Sequence, residues 1–259
     1  MERKIERIMK RKKEGKILTI ILIFLVILLG ILFIFYGFYY KPQPKEITYK
    51  FATLSSDVVV KGIKVPAVDK EGRGVMTEVI VEAMPGVGRT LVDINNLLFW
   101  ADTQESIREA KDVAMNYTKV NLDNYDLIYH IYANASIVGG PSAGAAITVL
   151  TIAAILNKSI REDVAITGAI NHDGSIGPVG DILEKAKIAK QNNINLFLVP
   201  LTQSKEVVYE EKKICKKYGN VEYCRVEQIP KVINIAEEVG IEVKEVKNIE
   251  EALSYFLID

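Results

Sequence analysis

An α+β domain of roughly 210 residues, with a mixed sheet and packed helices, preceded by one transmembrane helix, is the architecture the sequence predicts. Three observations predict it. Residues 17–40 run for 24 positions without a charge. The rest alternates β-branched, strand-like runs with segments of helical periodicity, and holds no internal repeat or low-complexity segment. The composition, 49% hydrophobic and 25% charged over 259 residues, is globular and excludes long disorder.

Charge narrows the function classes. Lys and Arg number 33, as do Asp and Glu, which excludes a basic nucleic-acid coat and a wholly acidic tail protein. The balance is uneven, because residues 1–16 hold eight basic side chains against Glu2, Glu6 and Glu14. Two cysteines exclude a disulfide-dense scaffold and a four-cysteine zinc site, and two histidines leave little for a metal centre. No metal or organic cofactor and no nucleic-acid partner is expected.

The elements follow in order. Residues 1–16 form a basic tail. A helix needs about 20 apolar residues to cross about 30 Å of hydrocarbon, which residues 17–40 supply. A cleaved signal would be shorter and would end in small residues; this run ends in Phe38, Tyr39 and Tyr40, so it reads as an uncleaved anchor with interfacial tyrosines. The basic excess ahead of it places the N-terminus in the cytoplasm and the domain outside the cell membrane, in contact with lipid through residues 17–40. Residues 41–49, with Pro42 and Pro44, form a stiff linker, and residues 50–259 form the domain.

Within that domain, residues 57–65 and 74–83 are strands around a turn at residues 69–72. Ile107, Ala110, Val113 and Ala114 give residues 104–117 helical periodicity. Residues 126–133 are a strand. Residues 142–156 are apolar nearly all round and predict a buried helix. Residues 164–170 are a strand, Asp173-Gly174 a hairpin turn, and residues 175–179 the return. Asp181, with Glu184 three residues on, predicts a capped helix to about Gln191. Residues 194–199 are a strand, and residues 249–257 the closing helix.

Two residues stand out chemically. Ser142 follows Gly139, Gly140 and Pro141 and enters an apolar helix through Ala143 and Gly144. A hydroxyl at a helix N-terminus lies near free N–H groups that favour developing negative charge, as an acyl-transfer nucleophile needs; it also suits an ordinary helix cap. Lys185 shares a helix face with Ile182, Ala186 and Ala189. A lysine on an apolar stripe either snorkels to water or loses its charge and becomes a competent base.

These motifs, in order and at matching spacing, resemble the proteolytic domain of Lon proteases: Gly140-Pro141-Ser142-Ala143-Gly144, Thr167-Gly168, and Pro178-Val179-Gly180 leading to Glu184-Lys185. The resemblance spans about residues 50–259 and includes Met84-Pro85-Gly86-Val87-Gly88 and Gln104-Glu105-Ser106-Ile107. It implies a Lon-type fold and a Ser–Lys dyad, with Ser142 as nucleophile, Lys185 as general base and Thr167 positioning the lysine by a hydrogen bond. His130 falls on a family histidine position near the active site and is read as structural. Lon-like sequences usually carry Asp where this chain has Gly139, and no G-x-x-x-x-G-K-[ST] is present. The expectation is an ATP-independent serine endopeptidase acting on flexible or unfolded polypeptides, with a hexameric ring by family analogy. The alternatives are a hydrolytically silent tethered binding domain and a small-molecule kinase using Gly139–Ala146 as a phosphate loop.

Cys215 and Cys224 lie where the chain is longer than typical relatives. A two-residue turn at Gly219-Asn220 would oppose Lys217 to Glu222 and Cys215 to Cys224, within disulfide reach. The Lys- and Glu-rich run 204–218 reads more readily as a helix ended by Gly219.

Overall fold

The computed structural model describes residues 24–32, 57–93, 101–133, 140–219 and 221–258. The chain divides into two units, Met1–Ala52 and Thr53–Asp259. In the first, residues 24–32 are helical and exposed (α1). The tail, the linker and most of the expected span lie outside the described residues, among which no helix is long and apolar enough to cross a membrane.

The second unit is α+β, as expected. It begins with an antiparallel pair, β1 (Val59–Val68) and β2 (Gly74–Pro85), followed by β3 (Thr90–Asp93), α2 (Ala101–Thr118) and β4 (Tyr125–Ala133). These strands form one sheet in the order β1-β2-β4-β3, with β3 parallel to β4 and the other pairs antiparallel. The β1–β2 turn is set by Asp69, whose carboxylate accepts the Glu71 and Arg73 N–H groups. The short β3 has no counterpart in the sequence-based expectations.

The chain then passes into α3 (Gly144–Ile155), β5 (Ser159–Ile160), β6 (Val164–Ile166), β7 (Ala169–Ile170), β8 (Ile176–Gly177), α4 (Ile182–Gln191) and β9 (Leu196–Pro200). Every residue of α3 from Gly144 to Ala154 is buried, as its continuous apolar sequence requires. Its two threonines satisfy their hydroxyls internally: Thr148 donates to the Gly144 carbonyl and Thr151 to that of Ile147. Gly144 lets the start of α3 close on its neighbours. A Cβ on Gly144 would lie 2.8 Å from the Ile170 backbone nitrogen.

The last elements are β10 (Lys205–Tyr218), β11 (Val221–Asn234), α5 (Ile235–Val239), β12 (Glu242–Val246), α6 (Ile249–Phe256) and β13 (Leu257–Ile258). Strands β6, β9 and β12 form an all-parallel sheet, β12-β9-β6. β6 and β9 are buried throughout, as parallel strands covered on both faces are. One apolar core joins α2, α3 and α6 to the four-stranded sheet; a second joins Ile182, Ala186 and Ala189 of α4 to Phe197, Val199 and Ile235.

Residues 205–218 are strand, which corrects the helical reading of this run. β10 and β11 pair over their full length, with Lys217 opposite Glu222 and Cys215 opposite Cys224. The two cysteines are disulfide-bonded. Helix propensity lost because cross-strand pairing and the covalent staple act on this segment, whereas a lone helix here would have had no apolar face to bury.

The Met84–Gly88 motif proves to be a clasp. Asp126, at the start of β4, accepts hydrogen bonds from the Val87 and Arg89 N–H groups at 3.0 and 2.9 Å and pairs with the Arg89 guanidinium. The Arg89 pairing and these amides hold the Asp126 carboxyl well below the usual carboxylate range. Gly86 lies against this carboxylate, and a Cβ there would fall 2.2 Å from Asp126 Cγ. Gly86→Ala is therefore expected to destabilise the domain by about 2–4 kcal/mol, measured by urea unfolding; a wild-type midpoint would refute the clasp.

Candidate active site

The serine site is built by a turn that the parallel sheet holds in place. Gly140 takes φ 110°, open to glycine alone, and leads into a 3₁₀ turn, Pro141–Ala143, that carries Ser142 directly ahead of α3. Proline fits the first position of this turn because its missing N–H would have had no partner there. The Ser142 carbonyl accepts the Gly168 N–H at 2.9 Å and the Thr167 hydroxyl at 3.3 Å. The Ala145 N–H in turn donates to the Gly168 carbonyl at 3.0 Å. Ser142 itself is half-buried.

Thr167 therefore binds the serine turn, its hydroxyl donating to the Ser142 carbonyl. The same bonds explain why the expected single strand 164–170 is split into β6 and β7. The Thr167 N–H makes the last bond of the β6–β9 ladder, to the Leu198 carbonyl, while the Gly168 N–H and carbonyl and the Thr167 hydroxyl are given to the serine turn and its helix, which ends the ladder there.

The lysine site lies one hairpin further on. β7 and β8 turn at Gly174, φ 80°, and the chain then enters α4 through Pro178, Val179 and Gly180. Lys185 is 4% exposed, packed on the face shared by Ile182, Ala186 and Ala189. Its Nζ donates to the Gly180 carbonyl at 2.8 Å. Burial pulls the ammonium down to about 8, while the Asp181 and Glu206 carboxylates pull it partway back up. At that value roughly one Lys185 in ten is neutral at pH 7.

Both sites lie off the C-terminal ends of the same parallel strands. Thr167 and Gly168 continue β6, and Gln203, which follows β9, exchanges hydrogen bonds with Val179 beside Gly180. Ligand and catalytic sites favour that end of parallel sheets.

The expected cap of α4 is corrected in detail. Asp181 occupies the cap position with φ 58°, but its side chain accepts no cap hydrogen bond, and Glu184 pairs with Lys187. The Leu183 N–H donates to Glu206 at 2.8 Å, a residue at the base of β10. Sequence reasoning did not find Glu206, because its partner is 23 positions away.

His130 stands among carboxylates in the four-stranded sheet. Its Nε2 lies 2.8 Å from Glu82 Oε1 and its Nδ1 3.3 Å from Asp93 Oδ2, supplied by β2 and β3 on either side of β4. Glu82 and Asp93 were missed, although a glutamate inside the apolar run of β2 is a signal that a buried partner exists. Gly139 lies outside the described residues.

Lys185 carries a stability cost with a definite sign. Its folded-state pKa is depressed, so the unfolded chain binds more protons between about pH 8 and pH 10.5, and stability rises with pH across that window. Lys185→Met should raise stability at pH 7 by about 1–2 kcal/mol and remove the alkaline rise, as read by urea unfolding at pH 7 and pH 10. Equal curves for both proteins at both pH values would contradict the buried-lysine assignment.

Comparison with known proteins agrees with this geometry. Residues 90–239 match the family described as the Lon protease (S16) C-terminal proteolytic domain. The chain is 31% identical over 160 residues to a Lon protease of Buchnera aphidicola, covering 60% of this chain and 18% of that protein. It is 27% identical over 175 residues to Lon protease 2 of Thermus thermophilus, covering 64% and 20%. It is 28% identical over 154 residues to the archaeal Lon protease of Thermococcus kodakarensis, covering 59% and 24%. The matched region thus spans only about a fifth of these relatives' length. With the serine turn, the lysine helix and the parallel sheet that carries both, the chain belongs to the Lon protease (S16) C-terminal proteolytic domain family.

Proposed function

We propose that this protein is a membrane-anchored, ATP-independent serine endopeptidase in which Ser142 and Lys185 form the catalytic dyad. The observation that carries the reading is a buried lysine with a depressed pKa, off the same strand ends as a serine on a glycine-flanked turn ahead of a helix. A neutral Lys185 amine donates one N–H to Gly180 and keeps a lone pair for the proton of Ser142. As that proton transfers, Ser142 Oγ attacks the peptide carbonyl, and backbone N–H groups of the turn face the developing oxyanion. Lys185 returns the proton to the leaving amine. Water then attacks the acyl-enzyme, gives its proton to Lys185, and releases the carboxylic product as Ser142 is reprotonated. Thr167 supports the nucleophile's turn. Substrates are flexible or unfolded polypeptide segments, and homo-oligomeric assembly is proposed on the family resemblance alone.

In the full-length protein, Ser142→Ala should lower cleavage of an unstructured peptide by about 10³-fold or more, and Lys185→Ala by about 10²-fold or more. Wild-type activity should rise with pH through about 8, because the base works deprotonated. Added ATP should leave the rate unchanged. Full activity in either variant, or a flat profile from pH 6 to pH 10, refutes the dyad.

Anchoring through residues 17–40, with the domain outside, is part of the same proposal. The Cys215–Cys224 bond supports it, since such bonds persist in oxidising compartments. Non-reducing mass spectrometry of protein taken from its native membrane should find the two cysteines joined, and protease added to intact cells should reach the domain. Two free thiols, or protection until lysis, would reverse the orientation.

A further inference from the structure

We infer that Glu206 is a positioning residue for the proposed base, closing the first turn of the Lys185 helix from the base of the β10–β11 hairpin. The inference rests on the dyad reading above.

A helix leaves its first N–H groups without internal partners, and a cap residue normally closes one of them. In α4 the residue at the cap position, Asp181, is in the left-handed region and does not do so. Glu206 does so from another element: its Oε2 accepts the Leu183 N–H at 2.8 Å. Glu206 is held where it can act. Its cross-strand neighbour, Ile233, is 7% exposed. Just upstream, the Ser204 N–H donates to Glu245 at 3.0 Å, and the Ser204 carbonyl accepts the Ile235 N–H. Gln203 donates to the Val179 carbonyl at 2.6 Å and accepts the Val179 N–H at 2.9 Å. Gly180, whose carbonyl holds Lys185 Nζ, is therefore fastened on both sides by one short stretch, Gln203 to Glu206.

The carboxylate acts on Lys185 through charge as well. Among the described residues, burial draws the ammonium down while Asp181 and Glu206 oppose it. β1, β2, β9 and α5 also pack against α4, and among the described residues the carboxylates that act on Lys185 are Asp181 and Glu206. Glu206 thus sets the lysine's place through a hydrogen bond and its protonation through a charge, and a glutamine retains only the first.

The test uses Glu206→Gln and Glu206→Ala in the full chain. Glu206→Gln should move the ascending limb of the kcat/KM–pH profile down by about half a pH unit, with the melting temperature at pH 7 lowered by no more than about 3 °C. Glu206→Ala should lower the plateau kcat about tenfold at unchanged KM, and Glu206→Gln should restore it. In parallel, the Lys185 side chain, ¹³C-labelled in Ser142→Ala, is titrated by NMR with and without Glu206→Gln. The glutamine should lower its midpoint by the same amount. An unchanged midpoint overturns the inference whatever the peptide assay gives, as does a superimposable pH profile or a wild-type plateau in Glu206→Ala. Cleavage retained in Ser142→Ala would instead remove the dyad reading, and the NMR titration would still judge Glu206.

Discussion

The Ser142 carbonyl, clasped by the Gly168 N–H and the Thr167 hydroxyl, is the joint at which the two halves of the domain meet. On one side lies α3, buried along nearly its whole length; on the other, the parallel sheet of β6, β9 and β12. The return bond from Ala145 to Gly168 makes the joint two-sided, so the turn is held against both tilt and slip. The close approach of Gly144 to Ile170 works only because no Cβ intervenes. The turn that carries Ser142 is thus held through backbone groups.

Lys185 shows the opposite strategy. Its side chain is buried where a charge is unwelcome, and the domain bears that cost through the second apolar core around Phe197 and Ile235. Among the described residues, a hydrogen bond to Gly180 and two carboxylates moderate the penalty. A buried lysine whose pKa is drawn down toward neutrality is the kind of perturbed group that clusters at functional sites.

Much of this was legible in the sequence, for identifiable reasons. The burial of α3 was written in its unbroken apolar run, and the stripe carrying Lys185 in a spacing of three and four. The register that joins Cys215 to Cys224 followed from placing one turn at Gly219. What escaped were interactions between residues distant in the chain. The Thr167 hydroxyl donates to the Ser142 carbonyl, Glu206 replaced Asp181 at the α4 cap, and Glu82 and Asp93 converged on His130 from different strands. Local periodicity carries no record of such pairings. The run 204–218 shows the related failure, in which local helix preference yielded to a partner strand.

The β10–β11 hairpin raises a separate question of solubility. Each strand has 14 residues, about 45 Å when extended, and the pair forms a two-stranded sheet that no further strand among the described residues borders. Each outer edge is therefore a row of backbone donors and acceptors able to recruit a strand from another molecule. Val207, Tyr209, Val226 and Val232, all exposed, would add adhesive side chains to such an encounter. Twelve charged residues spread over the same 28 positions oppose it, among them the paired lysines at 212–213 and 216–217. A strand docking on either edge would have to bring like charges together and strip water from them. Lysine and glutamate content that favours a helix on paper is, on this ribbon, what keeps neighbouring molecules from continuing the sheet.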